Sequence, residues 1–356
     1  MAGGKTCREK KMKKRMVPGL TLAVVLAAAF CVTGCAKKEA KTITMVWLPD
    51  NVGPKYQKMQ DTIGRLVEEA TGKKVTHICP TDYAITVESI VKGKADLAYT
   101  GGQAYVEAHH KNPKLLPLVV ISGPSGTLQD ACYNSWLAVK TEDAENFKTD
   151  GKWDLTKIQG KRMSYVSTSS TSGFMIPSSY FLSTFGGSGK WQNLTRDDLM
   201  EGGSDKFFSE VMFGGSHHIS MANLLSGKSD LSAFCDDMLP YLTVVDGTAD
   251  KQGAVYQVRD DAAEPFDKYH GKTFVLLQDI PVLNCPIIEN TETLSKEDQE
   301  KLLALFTSDE VADNSDIFVP KDSTAHGLAE KVGNTRFVAA ADSFYDPLRE
   351  LQGIKE

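Results

Sequence analysis

Ser89-Ile90-Val91-Lys92-Gly93-Lys94-Ala95-Asp96-Leu97-Ala98 is echoed later in the chain by Asn223-Leu224-Leu225-Ser226-Gly227-Lys228-Ser229-Asp230-Leu231-Ser232. In both stretches a helical pattern stops at Gly, a Lys follows at the carbonyl end of the helix, and an Asp leads into a short apolar strand. One helix-Gly-Lys turn is commonplace. Two copies in comparable surroundings point to two lobes built alike, with Asp96 and Asp230 capping their turns.

Outward from these copies, strand and helix patterns alternate. Residues 42–48, 75–79, 116–121, 135–139, 163–166, 274–277 and 287–288 read as strands. Residues 55–71, 84–91, 173–185 and 295–306 carry helical apolar spacing, as do stretches around 325–332 and 342–351. Ile280 to Pro286 is an extended, proline-stiffened segment that returns the chain to the first lobe. This alternation implies α/β lobes with mainly parallel sheets, in which ligands sit at the carboxyl ends of strands.

Ser164 to Tyr180 holds the chemistry. Tyr165 and Val166 are strand formers, Ser167 to Ser172 are six consecutive hydroxyl residues, Gly173 permits close backbone approach, and Phe174, Ile176 and Tyr180 resume helical spacing. Pro177 fits only a first helical turn. A strand, a hydroxyl loop and a helix N-terminus together offer free N–H groups, a positive dipole end and rotatable donors, which is an oxyanion site. An ordinary N-cap followed by a Ser-rich surface loop explains the segment alone equally well.

The composition is globular, 41% hydrophobic and 24% charged over 356 residues, enough for two cores. A basic cluster at 10–15, an apolar run at 17–32 and Val32-Thr33-Gly34-Cys35 form a secretory signal. Removal of residues 1–34 takes away seven basic residues and one acidic residue, which deepens the formal net charge from −6 to about −12. The remaining sequence holds no basic patch or run, which argues against nucleic acid as a partner. An acidic protein must hold an anion through local dipoles and hydrogen bonds. Cys79, Cys132, Cys235 and Cys285 lack metal or redox spacing, which leaves three disulfide pairings or free buried thiols open. Adjacent His217 and His218 diverge and have no third ligand nearby, so no metal is expected. Trp47, Trp136, Trp153 and Trp191 read as packing residues.

Several of these residues, taken in order, carry a resemblance: Asp82-Tyr83, Asp96-Leu97-Ala98-Tyr99-Thr100-Gly101-Gly102, Ser170-Thr171-Ser172-Gly173, Ser216-His217, Gly227-Lys228-Ser229-Asp230 and Pro281 with Pro286-Ile287. They resemble the phosphate/phosphite/phosphonate-binding proteins of ABC importers, from about residue 42 to the helix at 295. The resemblance implies a two-lobed type II periplasmic-binding-protein fold with the ligand in the interlobe cleft. Its expected parts are lobe I at 42–138 and 282–356 and lobe II at 139–281, after a signal at 1–34 and a tether at 35–41. The tetrapeptide ending at Cys35 resembles a lipobox, so Cys35 would carry lipid and anchor the exported protein to the membrane.

By position, Ser170, Thr171, Ser172 and the N–H of Gly173 would hold the phosphoryl oxygens, with His217 from the same lobe and Tyr83 from the other. Asp237 matches an acidic family residue. Thr100 stands where aminoalkylphosphonate receptors carry Tyr, with Tyr99 one place earlier. Cys285 replaces an acidic residue, which removes a partner for a ligand amine and leaves the phosphoryl end intact. The implied function is non-enzymatic capture of a small phosphorus oxyanion by a monomer that delivers it to an ABC permease, with no cofactor. Another small organic ligand on the same fold is an alternative. An exported serine hydrolase is a weaker one, since no Gly-x-Ser-x-Gly elbow is present.

Overall fold

Strands that alternate with helices must bury both faces of their sheet, and this chain does so twice. The computed structural model describes residues 41–187, 189–321, 323 and 325–352. The chain begins with β1 (Thr42–Val46), α1 (Gln57–Thr71), β2 (Lys74–Ile78), α2 (Tyr83–Val91), β3 (Leu97–Tyr99), α3 (Gly102–Lys111) and β4 (Leu115–Ile121). It changes sheets to β5 (Cys132–Lys140) and passes a ribbon of β6 (Lys148–Thr149) and β7 (Lys152–Trp153). There follow β8 (Arg162–Tyr165), α4 (Ile176–Phe185), β9 (Glu210–Phe213), α5 (His217–Leu225), β10 (Leu231–Cys235), β11 (Leu242–Asp246), β12 (Val255–Val258) and β13 (Thr273–Leu283). It returns through β14 (Pro286–Asn290), α6 (Lys296–Phe306), α7 (Asp309–Ala312), the pair β15 (Phe318–Pro320) and β16 (Ala329–Lys331), β17 (Phe337–Ala339) and α8 (Asp346–Gln352). The six-stranded sheet has the order β17-β4-β14-β3-β1-β2, and the seven-stranded sheet β11-β12-β13-β5-β10-β8-β9.

The two echoing stretches occupy equivalent places. β1-α1-β2-α2-β3 and β8-α4-β9-α5-β10 are both parallel units whose first strand lies between the other two. Gly93 and Gly227 take φ of 65° and 76°, which end α2 and α5 where a side chain would be strained. The lysines close the helices through their backbone: Lys94 N donates to Ser89 O, and Lys228 N to Asn223 O, both at 2.9 Å. The aspartates reach the neighbouring strand. Asp96 Oδ2 accepts from Thr44 N and Asp230 Oδ2 from Arg162 N, both at 2.8 Å.

The sheets are mixed, not mainly parallel. The third strand of each parallel unit meets a strand supplied where the chain changes sheets, β14 beside β3 and β5 beside β10, and both pairings are antiparallel. β5 and β13 run antiparallel from Phe274 opposite Lys140 to Leu283 opposite Cys132, with a bulge between Leu276 and Gln278. Positions 138 and 281, where the sequence suggested lobe limits, fall inside these two strands. Pro281 lies beyond the three β13 residues that pair with β12, so its missing N–H is tolerated. The helix expected around 325–332 does not form, because Ala329 to Lys331 pair with β15 and Leu328 joins the core.

Both faces of the six-stranded sheet are packed, around Trp47, Ile63 and Phe306 on one side and Ile90, Tyr105 and Ile288 on the other. Around the seven-stranded sheet the two cores centre on Tyr165, Phe181 and Phe208 and on Trp136, Phe234 and Tyr256. Each fully buried side chain of this size contributes about 1.5–3 kcal/mol of transfer free energy. Cys79, Cys132, Cys235 and Cys285 are all free thiols, the last two buried. The leader and Cys35 lie outside the described residues, among which no helix is long and apolar enough to cross a membrane.

Candidate functional site

The hydroxyl run after β8 leads into a widened turn, Thr171–Met175, before α4. Pro177 has no N–H to return to that turn, and its neighbours bond one residue further back: Met175 N donates to Ser170 O and Ile176 N to Thr171 O. The carbonyls left over find donors outside the helix. Ser135 Oγ donates to Ser172 O at 2.7 Å, and Val166 N to Gly173 O at 3.2 Å. Gly173 is required by packing, since a Cβ there would sit 2.3 Å from Val166.

Ser170 is the N-cap, its Oγ accepting from Gly173 N at 3.1 Å, so the Gly173 N–H expected for a ligand is spent inside the turn. Thr171 and Ser172 contribute first-turn N–H groups that have no partner within the helix. The Thr171 hydroxyl crosses to the other half, where its Oγ1 accepts from Gln103 N at the start of α3 at 2.9 Å. That approach requires Gly101, where a Cβ would stand 2.8 Å from Thr171 Oγ1. Ser172 Oγ accepts from the Tyr133 hydroxyl at 3.0 Å. Nearby, Ser169 Oγ donates across to Glu107 at 2.7 Å.

Asp50, in a tight turn just after β1, is not among the residues singled out from the sequence. Here it is the hub. Its carboxylate is 5% exposed and accepts from the Tyr83 hydroxyl at 2.6 Å and from His217 N, the first residue of α5, at 2.6 Å. His218 Nδ1 lies 3.4 Å away. Burial works to raise the Asp50 pKa, but the two imidazoles and the Tyr83 hydroxyl overcome it and hold the carboxyl down to about 2. Burial lowers both histidines, against the pull of Asp50. His218 Nε2 in turn meets Lys55 Nζ at 3.0 Å and the Tyr241 hydroxyl at 3.3 Å. Desolvation brings Lys55 down to about 8 although Asp50 opposes it.

Leu48, Asp50, Asn51, Tyr83, Tyr99, Gly101, Tyr133, Ser170, Thr171, His217, Cys235, Asp237 and Cys285 enclose a cavity of about 20 Å³. Seven of the ten residues singled out from the sequence are in this lining; Thr100, Ser172 and Gly173 are not. The Thr100 hydroxyl and His217 Nδ1 are buried without a hydrogen-bond partner among the described residues. Cys285 contacts the Tyr99 and Tyr133 hydroxyls, and burial pushes its thiol far up. Asp50, Asn51, Tyr99, Tyr133, Asp237 and Cys285 also line an adjoining cavity of about 390 Å³. Asp237 stays accessible from that cavity, yet desolvation raises its carboxyl, with the Asp50 charge adding to the effect and His217 opposing it. The missed residues share one legible signal: Asp50 and Cys235 stand at or just beyond the carboxyl ends of β1 and β10, where α/β ligand sites form.

Residues 45–345 match the family model described as "ABC transporter, phosphonate, periplasmic substrate-binding protein". A phosphate-import protein, PhnD, of Mycolicibacterium smegmatis is 29% identical over 234 residues, which span 63% of this chain and 65% of that protein. PhnD1 of Prochlorococcus marinus, solved with methylphosphonate, superposes with a TM-score of 0.59 at 15% identity over 88% of this chain and 97% of that one. A binding protein component of an ABC phosphonate transporter of Pseudomonas aeruginosa gives 0.59 at 16% identity over 88% and 86%. At such identities the superpositions establish the shared fold. The family rests on the match across most of the chain: this protein belongs to the phosphonate-binding periplasmic substrate-binding proteins of ABC transporters.

Proposed function

We propose that the chain captures a small phosphorus oxyanion (a phosphonate, phosphite or phosphate) between its two halves and hands it to an ABC permease without transforming it. The observation that carries this reading is the convergence of the Ser170–Thr171 turn, His217 and Tyr83 on one enclosed cavity. Two of its walls are helix starts, which favour anions through their N–H groups and dipoles. In such a site charge-assisted hydrogen bonds are stronger than in water. Ser216 caps α5 by accepting from Ile219 N at 3.2 Å, and Ser170 caps its own turn, and neither hydroxyl hydrogen-bonds the His217 ring as a nucleophile on its base would. The paired strands β5 and β13 connect the halves and serve as the hinge in this reading, with ligand bridging the halves and favouring closure. Cys35 carries the lipid that holds the exported receptor at the membrane.

A thermal-shift screen of the chain from Cys35 onward with methylphosphonate, phosphite, phosphate and sulfate tests the proposal. Binding to the native state raises the melting temperature with ligand excess over Kd. At least one phosphorus oxyanion should do so; no shift with any of them would contradict the reading.

A further inference from the structure

Asp50 has no role in the reading from sequence, yet it occupies the Tyr83 hydroxyl that the reading assigns to the ligand. Tyr83 has a single O–H, and it is given to Asp50 Oδ2; toward the cavity its oxygen then offers only lone pairs. The backbone N–H of His217 is likewise spent on Asp50 Oδ1. A carboxylate provides roughly four acceptor positions, and the three donors of Tyr83, His217 and His218 leave one toward the cavity that Asp50 lines. The two walls differ in their polar groups. The half built on the seven-stranded sheet brings donors, the first-turn N–H groups, the Ser170 hydroxyl and the His217 ring, together with the Asp237 carboxyl, whose pKa burial raises. The other half brings the Asp50 carboxylate and the Tyr83 oxygen, which can only accept, beside Asn51 and Tyr99.

We propose that Asp50 is a ligand-contacting, specificity-determining residue that demands a P–OH on the bound oxyanion, so that the site takes monoprotonated phosphorus oxyanions and rejects aprotic sulfonates and sulfate. This rests on the proposed function. A singly protonated phosphonate satisfies both walls, with its bare oxygens toward the helix starts and its hydroxyl toward Asp50. A sulfonate of the same shape sets a bare oxygen against a buried carboxylate. Asp50 stays ionised at neutral pH. The charged and titratable groups around it are Tyr83 from α2, His217 and His218 from α5, Lys55 and Tyr56 from the turn before α1, and Asp237 and Tyr241 from the segment after β10. Lys55 reaches His218 and Tyr241 instead of Asp50, so it does not remove the acceptor.

Calorimetry on the chain from Cys35 onward, with methylphosphonate and methanesulfonate, tests this without depending on any variant. A site built around a ligand hydroxyl rejects the analogue that lacks it, so methanesulfonate should bind on the order of ten-thousandfold more weakly. Above the second ionisation of the phosphonate, about pH 6 or higher for a phosphoryl group, binding in buffers of different ionisation heat should reveal uptake of about one proton per ligand. In Asp50→Asn, shown to be folded by circular dichroism, the sulfonate penalty should shrink by about a hundredfold. Equal affinity for the two ligands, or phosphonate binding without proton uptake, would overturn the role of Asp50 and leave the phosphorus-oxyanion reading standing. Failure of methylphosphonate, phosphite and phosphate all to bind would instead overturn that reading.

Discussion

Each half of the molecule places one oxygen on a helix start of the other, and the two oxygens differ in charge. Thr171 sets a neutral hydroxyl against the first turn of α3, and Asp50 sets a carboxylate against the first turn of α5. A hydroxyl accepts one N–H and leaves the helix dipole uncompensated. A carboxylate neutralises its helix start and gathers a tyrosine and a histidine besides. The α3 contact is thus a neutral latch between the halves, and the α5 contact is a charged hub on the wall of the cavity.

Removing the two oxygens in turn should expose the difference. Asp50→Ala strands a buried tyrosine hydroxyl and a helix N–H, and it should destabilise the protein by about 3 kcal/mol, within the range for breaking buried charged partners. Thr171→Val keeps the shape and strands one N–H, at a cost of about 1 kcal/mol. Urea unfolding of both variants checks the ranking; equal losses would remove the distinction between latch and hub. The repeated aspartates of the two βαβαβ units offer a second comparison. Asp96→Ala and Asp230→Ala each lose a bond to a strand N–H, and each should cost about 1–2 kcal/mol. Only the Asp230 loss should shrink with added salt, because Asp230 also pairs with Arg162 at 2.6 Å.

Lys55, beside the hub, offers a comparison that depends on pH. Its pKa falls from 10.5 to about 8 on folding. Below about 8 it is charged in both states and its desolvation penalty is fully present. Between about 8 and 10.5 the unfolded chain holds a proton that the native state has lost, so stability contributed by this group rises with pH across that window. Unfolding midpoints of wild type against Lys55→Met, at both ends of the window, isolate the term; parallel pH profiles would contradict it.

The internal repeat was legible because local chemistry carries it: a left-handed Gly stop, then an Asp whose carboxylate holds the next strand. The Ser164–Tyr180 junction was legible for the same reason. The mixed character of the sheets was not, since β5, β13 and β14 owe their antiparallel direction to where the chain crosses between halves. Ala325 to Val332 carries helical composition, and only pairing with Phe318 to Pro320 and burial of Leu328 turn it into a strand. Asp50 was missed because Pro49-Asp50-Asn51 looks like an ordinary turn. Its importance comes from Tyr83 and His217, distant in sequence, converging on it.

Whether a phosphorus oxyanion sits against the Ser170–Thr171 helix start, as proposed, is decided by calorimetric titration of methylphosphonate into wild type and Ser170→Ala. Saturable binding of one ligand per chain that weakens by about tenfold or more in the variant, as loss of a charge-assisted hydrogen bond requires, is the expected result. Equal affinity in the two proteins would contradict it.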